Sequence, residues 1–118
     1  MGKMSQEHFE QVAVVNYIKY QYPNVLFTAS SGGMRTNWHQ AKMNKAAGYS
    51  AGCPDILIFE SRKGLHGLMI ELKTKTGRLS PEQKNWLAEL EKRGYKSAVA
   101  YGSDNAIAII DIYLREGR

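Results

Sequence analysis

The feature that most constrains this chain is where it puts charge between Gly52 and Lys73. Two apolar runs, Ile56-Leu57-Ile58-Phe59 and Leu68-Met69-Ile70, flank the polar turn Ser61-Arg62-Lys63-Gly64, the pattern of a β-hairpin. Asp55 leads into the first strand, and Glu71 and Lys73 continue the second. Strand side chains alternate between faces, so Glu71 and Lys73 share one face and Leu72 takes the other. The second strand pairs within the hairpin and then crosses over through a helix, which makes it central. Central strands with helices on both sides normally read as unbroken apolar residues. Burying a carboxylate and an ammonium there is costly unless something compensates. A purely structural strand would carry valine or leucine at these positions. Two carboxylates and a lysine on adjacent strands instead suit a divalent metal with a phosphate beside it.

The rest of the chain supplies the frame. Residues Ser5 to Tyr20 show helical spacing with Phe9, Val12, Ala13, Tyr17 and Ile18 as the expected buried face, and Pro23 stops the helix. Glu7, Glu10 and Gln11 share a face near its start. A solvated stripe that suits the helix dipole explains them without any function. Asn24 to Ala29 reads as a short strand. The glycine-containing loop Ser30 to Thr36 is not a phosphate-binding P-loop, because no Gly-Lys-Ser/Thr follows. Trp38 to Ala47 is expected as a short helix ended by Gly48. Its Lys42 and Lys45, with the preceding Arg35, form the most coherent basic patch, although three such charges often simply face water.

After Lys73 the segment Thr74 to Arg78 is polar and basic, adding Lys75 and Arg78 to the cations near the hairpin. Leu79-Ser80-Pro81-Glu82-Gln83 is a strong helix start, with Ser80 as N-cap, Pro81 in the first turn and Gln83 closing a capping box. Trp86, Leu87 and Leu90 form its apolar stripe, and Gly94 ends it. Ser97 to Tyr101 reads as a strand. Ser103 or Asp104 is expected to cap a last helix that buries Ile107, Ile110 and Leu114. The expected fold is α/β: a four-stranded mixed sheet flanked by helices, with an antiparallel hairpin and a parallel crossover.

Composition removes several classes. The 118 residues suit a single domain spanning 1–118, and 43% apolar residues suffice for one core. No stretch is long and apolar enough to cross a membrane, and the polar N-terminus does not resemble a secretory signal, so a cytoplasmic location is expected. One cysteine, Cys53, and three scattered histidines build no structural zinc site. A formal charge of +5 is compatible with nucleic acid without requiring it.

Taken together, Gly52-Cys53-Pro54-Asp55, Glu71-Leu72-Lys73, Leu79-Ser80-Pro81-Glu82-Gln83 with Trp86-Leu87, and Gly94-Tyr95 resemble the VRR-NUC branch of the PD-(D/E)XK nuclease superfamily. The small stand-alone phage and bacterial members are the nearest pattern, and the resemblance runs along nearly the whole chain. It implies a restriction-endonuclease-like core and a Mg²⁺- or Mn²⁺-dependent DNA endonuclease. Asp55 and Glu71 match metal-binding carboxylates, Leu72 would add its backbone carbonyl, and Lys73 matches the catalytic lysine. Gln83 matches a glutamine that reaches the active centre. A first-helix glutamate also belongs to the pattern; Glu7 and Glu10 compete for it, with Glu7 preferred. The resemblance further implies branched DNA as substrate, Holliday-junction resolvase-like action and a homodimer, since two symmetric cuts need two-fold symmetry. Without a separate DNA-binding domain, recognition would rest on phosphates and shape. The alternatives are a catalytically silent nucleic-acid-binding module of the same fold and a cysteine hydrolase using Cys53. The intact acidic and basic set argues against the first, and the lack of a histidine context argues against the second.

Overall fold

The computed structural model describes residues 5–30 and 38–116. The chain runs α1 (Gln6–Gln21), β1 (Phe27–Ala29), α2 (Trp38–Ala46), β2 (Ile56–Ile58), β3 (Leu68–Lys73), α3 (Pro81–Lys92), β4 (Lys96–Tyr101) and α4 (Ser103–Asp111), which continues as a π-helical turn, Ile112–Glu116. The four strands form one mixed sheet in the order β1-β2-β3-β4. β1 and β3 both run antiparallel to β2, whereas β4 runs parallel to β3. The hairpin reverses at Lys63 and Gly64, whose positive φ values of 48° and 79° make a two-residue turn between the paired Arg62 and Leu65.

The core lies on one face of this sheet. Ile56 and Ile58 of β2, Leu68, Ile70 and Leu72 of β3, and Ala100 of β4 meet Val14 and Ile18 of α1 and Ala106 and Ile110 of α4. The opposite face carries Met69 and Glu71 and is covered by α3. There the Ser97 hydroxyl of β4 donates to the Leu87 carbonyl. The helix presents a half-buried stripe of Trp86, Leu87 and Leu90, as its spacing predicts.

Three expectations are corrected. The first strand is shorter than Asn24 to Ala29, because Val25 donates back to the Tyr22 carbonyl and spends the start of that run on a turn. The buried face of α1 is rotated: Val14 and Ile18 are fully buried, whereas Phe9 and Val12 are exposed. This helix has apolar residues nearly all round, so spacing alone does not fix its orientation. Polar anchors fix it instead. The Tyr17 hydroxyl donates to Asp111 (2.7 Å), as does that of Tyr22 (2.5 Å). Finally, the N-cap of α4 is Gly102, with no side-chain cap of its own. The carboxylate of Glu10 accepts from the Ser103 N–H and caps the helix from α1.

Candidate active site

Asp55 and Glu71 are brought together by the end of a ladder. Register pairs Ile56 with Ile70, and continuing it sets Asp55 opposite Glu71 and Pro54 opposite Leu72. Proline has no N–H to offer, and strand β2 ends at this step. Leu72 N–H donates to Asp55 Oδ2 at 2.7 Å instead, so the carboxylate takes over from the backbone ladder and is fixed by it. On the other side of Asp55, its carbonyl accepts from Ser30 N–H at 2.9 Å. Asp55 is 5% exposed and Glu71 only 1%, the two buried charged side chains among the described residues.

The approach of the Gly52–Asp55 turn to α3 depends on glycine. Gly52 has φ +97°, and a Cβ there would lie 2.6 Å from the Glu82 carbonyl carbon and 2.9 Å from Gln83 N. Trp86 Nε1 donates to the Ala51 carbonyl at 3.1 Å, clamping the turn to the start of the helix.

Gln83 plays two parts at once. Its Oε1 accepts from Ser80 N–H (2.9 Å) and its own N–H donates to Ser80 Oγ (3.1 Å), which is the expected capping box. With the oxygen held in the cap, Nε2 is turned toward the sheet and donates to Glu71 Oε2 at 3.2 Å. Helix capping thus orients the amide that reaches the carboxyl.

Glu71 Oε1 is buried and meets no hydrogen-bond donor; the Asp55 carboxyl beside Glu71 can bond it only when one of the two carries a proton. Burial, reinforced by the neighbouring Asp55 carboxylate, pushes its pKa up to about 9. Glu7 is raised too, by partial burial and then by Asp55, with Lys73 opposing. Glu7 therefore shares an electrostatic environment with Asp55, Glu71 and Lys73. Glu10 does not join them; its two oxygens are occupied by Gln6 Nε2 and the Ser103 N–H. Lys73 lies at the end of β3 and is partly exposed rather than buried. The burial cost expected for both charges therefore falls on the carboxylate alone.

Lys75 and Arg78 are exposed on the loop after β3. Lys42 and Lys45 are exposed on α2, upstream of the turn carrying Asp55. Arg35 lies outside the described residues. Burial, then Glu71, push the Cys53 thiol up, opposite to what a nucleophilic cysteine needs. The sequence offered no sign of Tyr49. Its phenol is pushed up by burial and then by Cys53, Asp55 and Glu71, which sets it beside the acidic centre.

Among the described residues no three His, Cys, Asp or Glu side chains gather into one cluster, so a complete protein cage is absent. A pair of carboxylates with an unpartnered buried oxygen nonetheless fits a hard divalent cation. Mg²⁺ in particular binds through one or two carboxylates and fills its remaining positions with water and phosphate.

A mixed sheet covered by helices, with an acidic pair and a lysine at the end of its central strand, defines a nuclease-like α/β domain. The profile of the VRR-NUC domain matches residues 3–104, and the chain belongs to that family. A solved structure titled VRR_NUC domain protein superposes with a TM-score of 0.79 at 31% identity, covering 98% of this chain and 93% of that one. A second, titled VRR_NUC domain, has a TM-score of 0.61 at 18% identity over 93% of this chain and 99% of its own, a likeness of fold. No curated protein sequence matches. Among the described residues no helix is long and apolar enough to cross a membrane.

Proposed function

We propose that this protein is a Mg²⁺- or Mn²⁺-dependent, structure-selective DNA endonuclease that hydrolyses phosphodiester bonds in branched DNA, resembling a Holliday-junction resolvase and acting as a homodimer. The observation that carries this reading is the buried, unpartnered carboxyl oxygen of Glu71 beside Asp55 on a central strand. Asp55, Glu71 and the Leu72 carbonyl would hold the cation. Glu7 is the first-helix glutamate in this reading, because the carboxylate of Glu10 is spent on capping α4. When bound, the cation supplies an activated water and charge neutralisation at the scissile phosphate.

The chain's own groups do the remaining work. Leu72 N–H keeps Asp55 in one rotamer, and Gln83 Nε2 keeps Glu71 in one orientation, which preorganises both carboxylates. Lys73, partly exposed on the same face as Glu71, orients the attacking water and offsets negative charge that develops on the phosphate. Lys75 and Arg78 engage backbone phosphates near the centre and Lys42 and Lys45 those along α2, with Arg35 assigned to the same phosphate contacts from the sequence alone.

Purified protein incubated with four-way, flap and linear DNA, with Mg²⁺, Mn²⁺ or chelator, tests the proposal. Metal-dependent products from branched DNA are expected, and Asp55→Ala and Glu71→Ala should abolish them. Full cleavage by either variant would refute the assignment. Salt-sensitive binding with no metal-dependent product would favour a silent binding module instead.

A further inference from the structure

One aromatic side chain beside this centre makes no hydrogen bond and no ring contact with the described residues. Tyr101 ends β4 and pairs with Lys73 in the parallel register. Ser97 faces α3 through its bond to Leu87, so alternation puts Val99 and Tyr101 on that face as well. Glu71 lies on the same face through Gln83, and Lys73 follows it two residues on. The side chains of Lys73 and Tyr101 are therefore neighbours across roughly one strand spacing, about 4.8 Å. Helix α3 starts at Pro81 and covers the face as far as Glu71. Tyr101 remains 46% exposed.

The backbone beneath this ring is held firmly. Tyr101 N–H donates to Asn105 Oδ1 at 2.8 Å, Gly102 N–H donates to the Lys73 carbonyl at 2.9 Å, and the Ser103 N–H is held by Glu10. An exposed aromatic on a fixed backbone presents a π-face at little further entropic cost. Lys73 lies beside it, Lys75 is near enough for Glu10, which holds the Ser103 N–H, to feel its charge, and Arg78 is exposed on the same loop as Lys75. Aromatic rings set among phosphate-binding cations are the combination that holds single-stranded nucleic acid, because every base offers a stacking face.

We propose that Tyr101 is a stacking subsite for an unpaired nucleobase immediately beside the scissile phosphate. The subsite deepens the endonuclease reading and rests on it. A base within a duplex is already stacked on both faces and has none to offer, whereas a base at a junction, flap or frayed end does. The ring thereby selects the unpaired nucleotide that distinguishes branched from linear DNA. Lys73 lies one strand away, so the base and the reacting phosphate belong to the same or adjoining nucleotides.

The test uses DNA carrying 2-aminopurine, either unpaired at a flap base or fully paired, with wild-type protein and Tyr101→Phe, Tyr101→Leu and Tyr101→Ala. Fluorescence is read in chelator, where binding proceeds without cleavage, and initial rates are read in Mn²⁺. Wild type and Tyr101→Phe should quench the unpaired probe and prefer that substrate. Tyr101→Leu and Tyr101→Ala should lose the quenching and about tenfold in the ratio of unpaired to paired cleavage. Unchanged quenching and ratio in the Leu and Ala variants, or a loss in Tyr101→Phe as large as in Tyr101→Ala, would overturn the subsite. Wild-type protein that quenches through Tyr101 yet cuts no DNA would refute the nuclease reading and leave the subsite standing.

Discussion

Leu68 and Glu71, near the two ends of β3, are equally buried and chemically opposite. At its N-terminal end Leu68 borders an apolar cavity of about 470 Å³ with Leu65, Ala98, Ile109 and Tyr113, rimmed by Arg62, Lys63 and Lys96. At its C-terminal end Glu71 is just as inaccessible, but its neighbours are Asp55 and Gln83, and one of its oxygens has no partner. Burial stabilises the first end, since apolar area removed from water contributes about 25 cal/mol per Å². At the second end the same burial opposes ionisation and raises the carboxyl toward 9. One strand thus joins an end that burial stabilises to an end where burial opposes ionisation.

The sharpest way to break this comparison is to neutralise the charged end. Glu71→Gln should cut nuclease activity by more than about a hundredfold while raising the melting temperature of the metal-free protein near neutral pH, since the amide keeps the shape and folding no longer has to place a proton on a buried carboxyl. Gel-based cleavage and thermal unfolding of the same preparation read both outcomes. A variant that loses stability along with activity would mean Glu71 is a structural partner.

Truncating the apolar end should do the reverse. Leu68→Ala and Ile70→Ala should each cost about 2–5 kcal/mol in denaturant unfolding, while the folded fraction keeps its rate. Rate loss in excess of unfolding would show that the two ends are not separable.

Gln83 links the charged end of β3 to the helix that covers it. Gln83→Glu keeps an acceptor for the Ser80 N–H but sets a carboxylate against Glu71. It should lower activity roughly 10- to 100-fold with little change in helix capping. Gln83→Ala removes both bonds and should add a stability loss of about 1 kcal/mol. Equal rates in the two variants and wild type would confine Gln83 to the cap.

The comparison is sharpened further by the pH dependence of metal-free stability. Glu71 has its pKa raised from 4.5 to about 9, so the folded state holds a proton that the unfolded state releases. The carboxyl is neutral in both states below 4.5 and destabilises the fold progressively as pH rises from 4.5 toward 9. Melting curves from pH 5 to 9 should fall more steeply for wild type than for Glu71→Gln. Added Mn²⁺ should restore more stability at the alkaline end. Parallel slopes would show that Glu71 is ionised throughout.

Much of this architecture was readable in order along the chain. The alternating hairpin, the Ser80–Gln83 capping box, the stripe of α3 and the parallel crossover all follow from local chemistry, because turns, caps and periodicity act over a few residues. Charge at Asp55 and Glu71 pointed to a site by the same logic, as it defies the pattern of a central strand. The orientation of α1 could not be read this way. A helix that is apolar nearly all round turns whichever face the distant hydroxyl and carboxylate anchors select, so the rotation waited on Asp111 and Ser103. Those anchors also separated Glu7 from Glu10, three residues apart and equivalent in sequence. Tyr49 and Tyr101 carried no signal, since their meaning lies in which strand end and which carboxylates stand beside them. The sequence alone determined the elements and the acidic pair on the hairpin. Tertiary structure decided which side chains share the space around that pair, because register and helix rotation are set by contacts between residues far apart in the chain.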